Sequence, residues 1–227
     1  MMKEPETLEI TEDTAIRIEN LNKSFSDQQV LKNVSMSVEK GSICGLIGRN
    51  GSGKTVLMKC ICGFLKPDNG KIFLRGKRMQ GEKSIIGNMG IIIEVPGFFE
   101  DETAKNNLYY LAAINNKIKK EDVDRVLRLV GLDPCDRKKV KKYSMGMRQR
   151  LAIAQAIMED QDIILLDEPM NNLDQEGVKD IRNLLLYLKE QGKSILLSSH
   201  YSEDIQYLCD KVYRISHGEL NLYNKTP

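Results

Sequence analysis

Residues 48–55 read Gly48-Arg49-Asn50-Gly51-Ser52-Gly53-Lys54-Thr55, and no other stretch of the chain constrains the fold as tightly. The octet matches the spacing G-x-x-x-x-G-K-[S/T] in full. Ahead of it, Ile43-Cys44-Gly45-Leu46-Ile47 predicts a short buried strand; behind it, Lys54 to Cys62 predicts a helix stopped by Gly63, with Pro67 beyond. A strand that breaks into glycines and re-forms as a helix can curl its backbone N–H groups inward. The helix N-terminus adds partial positive charge, so the curl suits phosphate oxygens. Gly48, Asn50, Gly51, Ser52 and Gly53 would form the cradle, Lys54 would reach outer phosphates, and the Thr55 hydroxyl would ligate Mg²⁺. A glycine-rich turn without ligand is the plainer alternative. Strand, loop, Lys and Thr in one register speak against it.

A second signal is Ile163-Ile164-Leu165-Leu166-Asp167-Glu168, an apolar run ending in two carboxylates. Such a run predicts a buried strand with Asp167 at its C-terminal tip, the end where α/β sheets bind ligands. Asp167 would hold Mg²⁺, directly or through water. Glu168, pointing differently, would polarise an attacking water as general base. An ordinary loop start is the competing reading. The separation of Asp167 from Lys54 along the chain allows both to sit side by side in the sheet.

Composition narrows the setting. At 227 residues the chain fits about one and a half domains, or one with a subdomain. Hydrophobic residues at 41% and charged residues at 29% suit a soluble globular protein with a real core. Lys plus Arg (34) nearly balances Asp plus Glu (32), which gives no support to nucleic-acid binding through bulk charge. No run approaches the roughly 18 apolar residues of a membrane helix. The acidic start (Glu4, Glu6, Glu9, Glu12, Asp13) is unlike a secretory signal. Five cysteines, with Cys60 and Cys62 in a lone C-x-C, predict reduced thiols rather than disulfides or zinc.

Alternation predicts strands at Ala15–Phe25 and Val30–Val38, an early antiparallel patch. Strands follow at Lys71–Leu74 and Met89–Val95. Helical spacing from Thr103 to Lys142 suggests an inserted helical subdomain. Then come helix Ser144–Met158, strand Asp162–Leu166, helix Gln175–Glu190, strand Ser194–Leu197, helix Ser202–Cys209 and strand Lys211–Ile215. That order predicts a mainly parallel sheet. His217 falls in a hairpin-like turn, Ser216-His217-Gly218-Glu219, and is given no role.

The ordered motifs resemble the ATP-binding cassette ATPases of ABC transporters over nearly the whole chain. Tyr143-Ser144-Met145-Gly146-Met147-Arg148-Gln149-Arg150 is similar to the family signature, usually Leu-Ser-Gly-Gly-Gln; Asn172-Leu173-Asp174 resembles the D-loop; His200 resembles the switch histidine; and Phe25 falls where the family stacks an aromatic on adenine. The resemblance implies a P-loop NTPase core with a mainly parallel sheet, an N-terminal antiparallel β patch and an inserted helical subdomain (core 1–102 and 143–227, subdomain 103–142). It also implies that Ser144 and Gly146, at a capped helix end, face ATP on a second subunit, with Asp174 nearby. From the pattern alone Ser144 reads equally as a simple helix cap. His200 also reads as a satisfied structural group, and Phe25 as packing.

Three departures from the family stand out. Glu94 replaces the usual Gln after Ile91-Ile92-Ile93; a carboxylate is a harder Mg²⁺ ligand and is expected at the metal and in catalysis, unless it turns to solvent. With this signature it resembles lantibiotic and bacteriocin immunity exporters. Val56 replaces a common second hydroxyl beside the phosphates, and Met145 replaces the first signature glycine. The run Arg137-Lys138-Lys139-Val140-Lys141-Lys142 reads as a solvated face, with anionic lipid as a minor alternative. The implied protein is an ATPase subunit on the cytoplasmic face of the membrane, binding ATP and Mg²⁺. It would dimerise, most simply with itself, and drive a separate polytopic permease that exports an antimicrobial peptide or similar amphiphile. The permease would dock on roughly Glu94 to Lys142. The chain ends at Pro227 soon after its last expected strand, so no appended regulatory domain is expected. The rivals are a soluble cassette ATPase without membrane partner and a nucleotide-sensing module that does not hydrolyse ATP.

Overall fold

A computed structural model describes residues 13–79, 89–94 and 97–224. Two sheets organise the chain. The first is antiparallel: β1 (Thr14–Phe25) pairs with β2 (Gln28–Glu39) on one side and, after β3 (Ile43–Ile47) and α1 (Lys54–Ile61), with β4 (Asn69–Leu74) on the other; β5 (Lys77–Arg78) closes the order β2-β1-β4-β5. Alternation puts Ile16, Ile18, Val34, Met36 and Val38 inward, where they meet Leu57, Met58 and Ile61 of α1. Each fully buried side chain of this kind contributes on the order of 1.5–3 kcal/mol.

The second sheet has the order β10-β9-β3-β8-β7-β6, from β6 (Met89–Ile92), β7 (Ile163–Leu166), β8 (Ser194–Ser198), β9 (Lys211–Ser216) and β10 (Glu219–Leu222). All neighbours are parallel except the β9–β10 hairpin at the edge. Its central strands β3, β8 and β7 are buried almost throughout and mostly apolar because both faces are covered. Cys44, Leu46, Leu165 and Leu196 join the core with α1 and the first sheet, while Ile43, Ile164, Leu166, Ile195 and Leu197 join the core with the later helices.

Between β6 and β7 lie α2 (Ala104–Asn115), α3 (Lys120–Leu129), a 3₁₀ turn at Val140–Lys142, and α4 (Met145–Ile157). Thr103 caps α2 by accepting from Asn106 N–H at 3.1 Å, and the Asp122 carboxylate accepts from Lys119 N–H at 2.9 Å at the start of α3. Leu108, Val123, Val126 and Leu127 share one apolar cluster with Leu151 and Ile153 of α4. α5 (Gln175–Glu190) and α6 (Ser202–Leu208) complete the layer.

The structure corrects several expectations. β3 and β7 are not neighbours, because β8 runs between them and pairs with β7. β6 stops at Ile92, and Val95, the expected last residue of that strand, lies outside the described residues. β5 and β10 were not expected; both are short and exposed. The acidic segment 1–12 also lies outside the described residues. All five cysteines are free thiols. Burial pushes Cys60 up to about 11 and Cys62 to about 12, so both stay protonated at neutral pH. Among the described residues no helix is long and apolar enough to cross a membrane.

Candidate functional site

Parallel pairing brings the C-terminal ends of β3, β8 and β7 to one edge of the second sheet, and the segments leaving those ends carry the polar groups. From β3 the chain enters the loop 48–53. Gly51 and Gly53 take φ of 76° and 110°, left-handed values that let the loop curl back on itself. Gly48 is required by contact: a Cβ there would lie 2.5 Å from the Ile215 carbonyl and 2.6 Å from Ser52 Oγ. Lys54, almost fully buried at the start of α1, donates from Nζ to the carbonyls of Gly48 at 2.8 Å and Arg49 at 3.4 Å, spanning the curl. Ser52 Oγ is a buried hydroxyl without a protein partner. Asn50 and Gly51 form the exposed outer lip. Cavities of about 530 Å³ and 620 Å³ flank the loop, one reaching His200 and Arg214, the other Gln29 and His217; both fall within the usual size of ligand sites.

One string of hydrogen bonds joins the remaining groups. Thr55 Oγ1 donates to Asp167 Oδ2 at 2.7 Å. Ser198 Oγ, fully buried at the end of β8, donates to Asp167 Oδ1 at 2.5 Å and accepts from Glu168 N–H at 2.9 Å. Asp167 N–H donates to Ile92 O at 2.8 Å, tying the tip of β7 to β6. Glu168 turns away with φ of 51°, and its Oε2 lies 2.7 Å from His200 Nδ1. With Glu168 ionised, Nδ1 carries the proton and donates. Lys54, Thr55, Asp167, Glu168 and His200 therefore converge on one edge. Ser198, named in no role from the sequence, is the hydroxyl that links two of them. Its only sequence signal is its place two residues before His200.

The set fits a magnesium–phosphate ligand. Thr55 Oγ1 and Asp167 Oδ2 are hard oxygen donors close enough to share an ion that takes its other ligands from water and phosphate, as Mg²⁺ does. The unpartnered Ser52 hydroxyl and the curled loop amides suit the phosphates themselves.

Other candidates are not members of this string. Glu94 takes φ of 65° just past β6, and its Oε1 lies 2.5 Å from Lys59 Nζ, one turn along α1 from Thr55. The structure thus gives it an ion pair where the sequence suggested a metal contact; the early end of β6 turns the side chain toward α1. Val56 packs partly into the core. Phe25, half exposed at the end of β1, lies under Lys23 Nζ at 5.3 Å from the ring centre. Ser144 caps α4, accepting from Met147 N–H at 3.2 Å, at an exposed helix end. Gly146 abuts the Asn172 carbonyl, where a Cβ would come within 3.0 Å. Asp174 caps α5 by accepting from Gly177 N–H at 2.8 Å.

Comparison with known proteins gives a consistent answer. The ABC transporter family matches residues 31–171. An ABC transporter ATP-binding protein of Bacillus subtilis, YybJ, is 40% identical over 210 residues, 92% of this chain and 96% of that protein. The bacitracin transport ATP-binding protein BcrA of Bacillus licheniformis is 39% identical over 91% of this chain and 68% of its own length. The lantibiotic transport ATP-binding protein SrtF of Streptococcus pyogenes is 32% identical over 91% of this chain and 89% of its own. Among solved structures, an ATP-binding subunit of an ABC transporter aligns with a TM-score of 0.82 at 27% identity, covering 92% of this chain and 90% of that one. The dimeric cassette MJ0796 shares the fold at a TM-score of 0.82 and 21% identity, covering 93% and 100%.

Proposed function

The chain belongs to the ABC transporter family of ATP-binding proteins, and from that footing we propose that it hydrolyses MgATP as one of two ATPase subunits driving a separate membrane permease. The observation that carries the reading is the string Thr55–Asp167–Ser198–Glu168–His200 beside Lys54. Lys54 sits where its ammonium can move from loop carbonyls to phosphate oxygens. Thr55 and Asp167 would hold Mg²⁺, which would screen the phosphate charge and stabilise the leaving oxygens. Glu168 accepts the proton of the attacking water at Oε1, since Oε2 is engaged by His200. His200 fixes the direction of that carboxylate.

Ser144 and Gly146 stand at an exposed helix end whose first-turn N–H groups suit an anion. They complete the site of a second copy, with Asp174 holding the neighbouring segment and Phe25 stacking on adenine. The chain works at the cytoplasmic face of the membrane, and the stretch from about Glu94 to Lys142, which takes in the helical subdomain at residues 103–142, provides the permease dock. Relatives named for bacitracin and lantibiotic transport support an antimicrobial peptide or similar amphiphile as cargo.

The test is steady-state ATPase activity of the chain co-purified with the multi-span protein of a neighbouring gene. Turnover should require Mg²⁺, and Lys54→Ala should abolish nucleotide binding by calorimetry. No Mg²⁺-dependent turnover, or unchanged affinity in the variant, refutes the reading.

A further inference from the structure

Behind His200 lies a buried polar cluster that the hydrolytic string does not include. Asp204, in the first turn of α6, is 1% exposed. A carboxylate so deep needs partners, and it has them on both oxygens. Arg182 of α5 donates to Oδ1 from Nε at 2.8 Å and from Nη2 at 2.6 Å. Oδ2 is left to Ser199, whose hydroxyl donates to it at 3.0 Å. Ser199 Oγ in turn accepts from Tyr201 N–H at 3.1 Å. His200 is thus bracketed by two residues tied to one buried anion. The Tyr201 ring also packs on the imidazole, with centroids 4.0 Å apart.

We infer that Arg182, Asp204 and Ser199 form a clamp that positions His200 and, through it, the Glu168 carboxylate. The inference rests on the proposed reading of Glu168 and His200 as the hydrolytic pair. The three clamp residues are positioning groups. Each bond has a role: Arg182 neutralises Asp204 and holds its Oδ1, Asp204 Oδ2 orients the Ser199 hydroxyl, and Ser199 fixes the backbone on the far side of His200. Because Arg182 belongs to the helix capped by Asp174, the clamp also ties His200 to the segment that follows Glu168.

Asp204→Asn tests the clamp without changing volume. The amide would present N–H to Ser199, whose hydroxyl proton then has no acceptor. Released from the clamp, His200 should misplace Glu168, and kcat should fall between about tenfold and a hundredfold, the scale of an ångström-sized displacement. KM for MgATP should stay within about twofold, since Lys54, Thr55 and Asp167 are untouched. Ser199→Ala, which removes one oxygen, should give the same kcat loss even if Asp204→Asn folds poorly, and Ser199→Thr should restore the rate. In a His200→Ala background neither variant should cost more than about twofold further, because the group they position is gone. Wild-type kcat in Ser199→Ala overturns the clamp, and so does an undiminished loss in the His200→Ala background. A wild-type rate in His200→Ala alone refutes the hydrolytic pair itself, a result read before any clamp variant is made.

Discussion

Ser198 is the most informative single position for testing how the catalytic edge is built. It is fully buried, donates to Asp167 Oδ1 and accepts from Glu168 N–H. Ser198→Ala keeps the strand and most of the volume. It leaves the Glu168 N–H and one Asp167 oxygen without their protein partner. An unsatisfied buried group costs about 1–3 kcal/mol. The two groups together make about 2–6 kcal/mol, and for a chain of this size each kcal/mol moves the thermal midpoint by about 2–4 °C, so the midpoint should drop by about 4–24 °C. Because Asp167 also accepts from Thr55, saturating Mg²⁺ and ATP should recover part of the drop by mass action. Differential scanning calorimetry with and without MgATP measures both quantities, and a steady-state assay should show slower turnover. A midpoint within about 1 °C of the parent, with unchanged ATPase activity, would refute the claim that this hydroxyl holds the two carboxylate residues in register.

Glu168→Gln should lower turnover by about 10²–10⁴, the range of general-base catalysis, while keeping ATP affinity and letting a nucleotide-bound dimer accumulate on size exclusion; normal turnover rejects the assignment. Its unfolding free energy should change by less than about 1 kcal/mol in urea titration, since the His200 partner is half exposed. Glu94→Gln breaks an exposed ion pair with Lys59 and should leave stability within about 1 kcal/mol. It should shift the Mg²⁺ dependence of ATPase activity or its coupling to transport; if neither responds, Glu94 is a bystander. Gly90→Ala places a Cβ 1.9 Å from the Ala156 carbonyl of α4, an overlap that only backbone movement relieves. Denaturant titration should show a loss of about 1–3 kcal/mol, and a parent-like midpoint would mean that β6 and α4 are not pressed together.

Much of this architecture was legible because local signals and tertiary contacts agree. α5 begins and ends where the sequence predicted, with Asp174 as its cap and Ile181, Leu184, Leu185 and Leu188 on one buried face. Lys54 and Thr55 were readable because their loop has a fixed spacing, and Asp167 because it ends an unbroken apolar run. β5 and β10 escaped notice because two to four exposed residues carry no period; each exists by pairing with a longer neighbour. The position of β8 between β3 and β7 depends on crossover order, which alternation along the chain does not encode. Ser198 and Ser199 were invisible as functional groups for a related reason. A serine in a strand is common, and only its neighbours in space turn it into a bridge. Lys59 likewise finds Glu94 only through the bend after β6.

Glu94 and Glu168 both sit at bends with left-handed backbone, where a residue lacking a side chain would be more at home. Holding an ordinary residue there costs on the order of 1–2 kcal/mol. At Glu168 the chain gives up that much robustness to keep a carboxylate beside His200 at the reacting edge, and at Glu94 it gives up as much for an ion pair with Lys59. Selection of heat-resistant variants without selection for transport should therefore drift toward glycine or asparagine at both bends, and those changed at Glu168 should be hardier proteins that no longer turn over.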